Sequence, residues 1–172
     1  MTADAALAIC VHVAVGVWLV MSAIAKLDDT ASAIAATGRY WLIPGGLEAP
    51  ATAAIILIES ILGVALVTGL LWPWSTILSA VLLITYAIAM SVDLVRGDVH
   101  ACGCGPSQKP ISWLAVGRNL IASLALALTI PSGDGIPVLV HSALALTIIG
   151  ASIAIVDVTH ALREWRGTPA NG

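Results

Sequence analysis

The sequence predicts an all-α integral membrane protein, a helix bundle of about five transmembrane helices arranged as a four-helix core plus one. Hydrophobic residues make up 59% of the chain and charged residues only 10%, against roughly 25% charged in a soluble globular domain. Mean hydropathy is +1.02. The apolar residues gather into runs of about 20, the length a helix needs to cross the hydrocarbon core. In that solvent backbone polar groups must bond internally, so the runs read as helices. The net charge is −3 with no long basic run. The lipid bilayer is therefore the expected surrounding, and nucleic acid is not an expected partner.

The first span, residues 5–25, carries no charge. It lacks a basic leading region and is longer than the apolar part of a signal peptide, so it reads as a span. Residues 26–47 are too polar to cross and end in Pro44-Gly45-Gly46. They read as a short interfacial helix and a turn. The second span, 49–71, contains one acid, Glu59, and the third, 73–92, contains no charge. The fourth, 111–130, contains Arg118 and Asn119. The fifth, 136–156, has His141 as its one titratable group. Trp41, Trp72, Trp74, Trp113 and Trp165 fall at span ends, where an aromatic belt forms. Trp18 lies inside the first span. No internal repeat divides the chain, and residues 1–172 read as one domain.

Five spans put alternate connections on opposite faces. Face 1 takes residues 26–47, 93–110 and the C-terminus; face 2 takes the N-terminus and the links at 72–74 and 131–135. The connection charges Lys26, Arg39, Arg96, Lys109, Arg163 and Arg166 all fall on face 1. By the positive-inside rule that face is cytoplasmic.

The stretch "HACGCGPSQKPISW", residues 100–113, holds two of the three cysteines. Cys102 and Cys104 flank one glycine, and residues two apart lie near the upper end of the Cα separation a disulfide spans. A ring that small is strained, and strained disulfides are the labile, exchanging kind. His100, Arg96 and Lys109 are near enough in sequence to lower a thiol pKa. Two other readings stay open: metal binding by His100, Cys102 and Cys104, although the spacing is not a structural zinc pattern, and loop cysteines without a task. Cys10 lies toward face 2, about 24 Å of helix from Lys26. It reads as a small buried apolar residue.

Glu59 and Arg118 lie about 15 and 10 Å below face 1. Charges in the membrane pair or line a cavity, so a Glu59–Arg118 ion pair is expected, with Asn119 completing its hydrogen bonds. Glu59 is also a candidate to relay protons. Lys26, at the end of span one, either joins this cluster or snorkels to the interface. His12 and His141 read as packing or hydrogen-bonding groups.

Taken in order, "AIAKLDD", the Pro-Gly turn, "LIESILG", "DLVRGDVHACGCG" and "ISWLAVGRNL" resemble the methylamine utilisation protein MauE family, within the DoxX-like membrane proteins. The resemblance runs from about Val15 to Leu128. It differs in lacking the aromatic that usually follows the second cysteine; Gly105 and Pro106 stand there. The resemblance implies a bacterial inner-membrane protein that exchanges electrons with a thioredoxin-like thiol protein in disulfide formation of exported proteins. Cys102 and Cys104 would be the catalytic pair, supported by Glu59, Arg118, Asn119, His100 and Lys26. By analogy with other membrane disulfide oxidases, a quinone would be the electron acceptor. That function wants the cysteine loop outside the cytoplasm, against the charge count, and the family reading is the one adopted. The rival classes are a non-catalytic membrane anchor and a metal-handling protein.

Overall fold

Apolar runs without internal breakers should fold as uninterrupted helices, and they do. A computed structural model of the chain describes residues 3–40, 43–100 and 110–129. These residues form α1 (Ala3–Asp28), α2 (Thr30–Thr37), α3 (Glu48–Thr68), α4 (Trp74–Arg96) and α5 (Trp113–Thr129). Helices α1, α3 and α4 are long and apolar enough to cross a membrane, and α5 is a shorter apolar helix. The expected fifth span, 136–156, lies outside the described residues. The protein is an integral membrane helix bundle.

Two boundaries differ from the sequence reading in ways that matter for the site. Helix α4 runs on to Arg96 rather than ending at 92. Gly97 closes it at φ 80°, a left-handed conformation open to glycine, and the Asp98 amide donates to the Asp93 carbonyl at 3.0 Å. Asp93 is therefore a buried helical residue, not the first residue of a loop. Helix α1 likewise runs past Lys26. The interfacial helix is α2, and its N-cap is Asp29, whose Oδ1 accepts from the Ser32 amide at 3.0 Å. Hydrogen bonds from the Ser32 side chain and then its backbone hold the Asp29 carboxyl below the usual carboxylate range.

Chain direction alternates, so α1 and α4 run from face 2 to face 1, and α3 and α5 run back. Helix α1 packs chiefly on α3, and α4 chiefly on α5, giving two hairpins that meet along a thinner seam. Lipid tails are as apolar as leucine, so helices here associate by close packing rather than by hydrophobic burial. Gly16 and Gly63 supply that between α1 and α3: a Cβ on either would lie 2.8 Å from the other's carbonyl oxygen. Val15, Leu19, Leu62, Leu66, Ala80, Leu83 and Leu126 form a core drawn from all four long helices. Leu57, Ile61, Val81, Leu124 and Leu128 point outward, as lipid-facing residues should.

Candidate functional site

Two contacts of His12 fix the helix register. Near face 2, His12 Nε2 lies 2.9 Å from Thr129 Oγ1 and 3.3 Å from Thr76 Oγ1. This joins α1, α4 and α5 at one level. Seven residues up from His12 and Thr76 come Leu19 and Leu83, which with Leu62 make an apolar layer. Ten residues toward face 1, about 15 Å along each helix, the same register aligns Ser22, Tyr86 and Asn119.

That layer is built around Glu59. Its side chain is 0% exposed. Oε1 accepts from Tyr86 Oη at 2.7 Å, from Lys26 Nζ at 3.0 Å and from Ser22 Oγ at 3.3 Å. Oε2 accepts from Lys26 Nζ at 2.8 Å. Lys26 also donates to Ser22 Oγ at 2.7 Å. The expected Glu59–Arg118 pair is thus not formed; the cation on Glu59 is Lys26. The reason is side-chain direction. Every Cα–Cβ bond leans toward the N-terminus of its helix, so Lys26 on α1 leans down into the membrane, one turn toward Ser22. Snorkelling to the interface would need the opposite lean.

Arg118 instead faces out of the bundle. Its guanidinium carbon lies 4.3 Å from the centre of the Trp18 ring, a cation–π geometry. Asn119 is 1% exposed, and its Nδ2 is buried without a hydrogen-bond partner among the described residues, as is Ser79 Oγ. Asn119 therefore stands at the level of the Glu59 cluster without completing a Glu59–Arg118 pair.

On the face 1 rim, His100 Nε2 lies 3.1 Å from Asp93 Oδ2. Asp93 is 1% and His100 6% exposed. Tyr40 meets the imidazole edge-on at 4.7 Å between ring centres. The Ile111 amide donates to the His100 carbonyl at 2.8 Å, so the two ends of the intervening loop are tied together. Cys102 and Cys104, with Lys109, lie outside the described residues. Among the described residues no group of three His, Cys, Asp or Glu side chains is placed to hold a metal ion.

Cys10 is a correction. It is exposed on the outer face of α1, not buried, and still sits at the end of the bundle away from the rim. His12 is a hydrogen-bonding group, as expected; His141 lies outside the described residues. The sequence reading missed Ser22, Tyr86, Asp93 and Tyr40. A signal for two of them was present: Thr76, Ser79, Leu83, Tyr86, Met90 and Asp93 recur every three or four residues, one stripe of α4.

The family described as "Methylamine utilisation protein MauE" matches residues 4–132. The chain is similar to the "Methylamine utilization protein MauE" of Paracoccus denitrificans, 29% identical over 117 residues, which cover 66% of this chain and 62% of that protein. It is also similar to the protein of that name from Methylophilus methylotrophus, 29% identical over 129 residues, covering 74% of this chain and 67% of that one. The match thus spans a little over three fifths of the Paracoccus protein's length. No solved structure matches. With three quarters of its residues inside the family's bounds, the chain belongs to the MauE family.

Proposed function

We propose that this protein is a membrane thiol–disulfide redox protein of the bacterial inner membrane. It exchanges electrons with a thioredoxin-like partner during disulfide formation in exported proteins, and the names of its relatives make methylamine utilisation the process served. Cys102 and Cys104 are the exchanging pair. In the oxidising direction their disulfide is attacked by a partner thiolate, passes through a mixed disulfide, and leaves as the dithiol while the partner becomes the disulfide. Reoxidation of Cys102 and Cys104 releases two electrons and two protons to an acceptor, a membrane quinone.

The observation that carries this reading is the buried Asp93–His100 pair. An acid on one ring nitrogen fixes the orientation of an imidazole. Cys102 follows this histidine by two residues and Cys104 by four. In this reading His100 is the group that would stabilise the Cys102 thiolate. Glu59 and Lys26 form a neutral pair beneath the rim, with Glu59 as the group able to pass a proton.

The test is mass-shift alkylation across graded redox buffers, with the Cys104→Ser and Cys102→Ser proteins run on non-reducing gels. A reversible Cys102–Cys104 disulfide and a reductant-sensitive adduct to a thioredoxin-like protein are expected. Thiols that stay free in every buffer, in folded and inserted protein, would overturn the reading and leave the anchoring role.

A further inference from the structure

Helices α1 and α5 meet along the thin seam between the hairpins, and a groove of 460 Å³ opens there. Its walls are almost wholly apolar, with Ala14, Val15 and Trp18 deeper in the membrane and Ile121, Arg118 and Trp113 successively nearer face 1. Trp113 is the first residue of α5, so the mouth of the groove lies on the rim to which His100 is tied.

Arg118 is the unusual member. A guanidinium over an indole ring still carries a planar fork of N–H donors at its edge. No ion pair to it is formed among the described residues, and Glu59 is already neutralised by Lys26. A cation facing an apolar groove needs an acceptor.

Depth and charge narrow what that acceptor is. By the register from His12 and Thr129, Trp18 sits about 7.5 Å deeper than the Cα of Arg118. The guanidinium, 4.3 Å from the Trp18 ring centre, thus lies against a residue set deeper in the membrane than its own Cα. The chain's own residues 136–156 contain no acid. A neutral carbonyl on a flat, apolar molecule meets both demands: it accepts from the guanidinium edge, and its ring packs beside the indoles. The volume falls within the range of small-molecule pockets, about 300–1,000 Å³.

We propose that the α1–α5 groove is a quinone site, with Arg118 donating to one ring carbonyl and Trp18 and Trp113 flanking the ring. Binding itself needs no thiol chemistry. The use of the bound quinone rests on the function proposed above: quinone takes two electrons and two protons to become quinol, as the dithiol of Cys102 and Cys104 loses two electrons and two protons to become the disulfide.

The experiment uses the full chain in nanodiscs of neutral phosphatidylcholine and a short-tailed azidoquinone. Photolabelling should fall on peptides containing residues 14–18 and 113–122 and be competed by the unlabelled quinone. Losing one charge-assisted hydrogen bond should weaken binding about tenfold in Arg118→Gln, with Arg118→Lys between it and the parent. The lysine variant, which keeps the charge, guards against misfolding as the cause. Labelling should persist in the Cys102→Ser/Cys104→Ser protein, which separates failure of this site from failure of the thiol reading. Labels confined to other helices, or equal affinity in Arg118→Gln, would overturn the proposal. So would loss of all labelling on adding phosphatidylglycerol, which would make the occupant an anionic lipid. A full-yield disulfide between Ile121→Cys and Ala145→Cys, with no labelling, would give the groove to the chain's own residues 136–156.

Discussion

Lys26 and Glu59 hold each other's charge where neither could stand alone. Lys26 has an apolar stem and one point charge; Glu59 has two oxygens, and four hydrogen bonds from three donors satisfy them. Removing one partner of such a pair typically costs about 3–5 kcal/mol, whereas replacing both with apolar residues is often neutral. Lys26→Met and Glu59→Gln should each lower stability to graded SDS unfolding, with Lys26→Met near the top of that range. The Lys26→Met/Glu59→Leu double variant should recover most of the loss. Arg118→Ala should cost about 1 kcal/mol, the size of an exposed cation–π contact. This reverses what the sequence suggests. Counting residues from face 1 puts Glu59 and Arg118 at similar depths, but it does not give the side of the helix or the lean of the side chain. Those two decide that Lys26 pairs and Arg118 does not. The pairing also changes the charge count behind the orientation of the protein. One of the six face 1 cations is neutralised inside the bundle and no longer counts as a loop charge.

Among elements, the α1–α3 pair is set by glycine and the short α2 by its cap. A methyl group on Gly63 would meet the Gly16 carbonyl oxygen at 2.8 Å and the Val20 amide nitrogen at 3.0 Å, both backbone atoms that cannot turn aside. Gly63→Ala should therefore push α3 off α1 and loosen the Lys26–Glu59 contact. Cysteine cross-linking between α1 and α3 should fall, while the α4–α5 hairpin keeps its cross-linking. At α2 the sign of the pH effect follows from Asp29. Its carboxyl pKa is lowered in the fold from 3.8. The cap thus contributes fully above the unfolded value and is lost as pH falls through the folded one. Amide exchange at Ser32 and the first turn of α2 should speed up below about pH 3.8, and Asp29→Ala should show the fast rate at every pH. Hydropathy makes α1, α3, α4 and α5 legible, because a run of apolar residues is the whole requirement for a span. The last turn of α4 is not legible that way. Asp93 and Arg96 look like loop residues until Gly97 is recognised as the stop, and that one misplaced turn hides the Asp93–His100 pair.

For the molecule as a whole, the seam between the hairpins is the feature with the widest reach. Leucine surfaces in a leucine-like solvent have no strong preferred height; shifted by one helical turn, about 5.4 Å, they mesh again. Two sets of polar contacts cross this seam, His12 with Thr76 and Thr129 near one face and Tyr86 with Glu59 nearer the other. Two fixed points on a sliding joint act as a vernier. A slip breaks both, whereas a rocking motion about either point breaks only the other. The two contacts together thus oppose sliding more than rocking. Spin labels on α1 and α4 should give a single distance in the parent and in either Tyr86→Phe or His12→Leu. The two changes together should split that distance into populations spaced by one turn. The two contacts thus set one height of α1 and α3 against α4 and α5, and the groove between α1 and α5 inherits it.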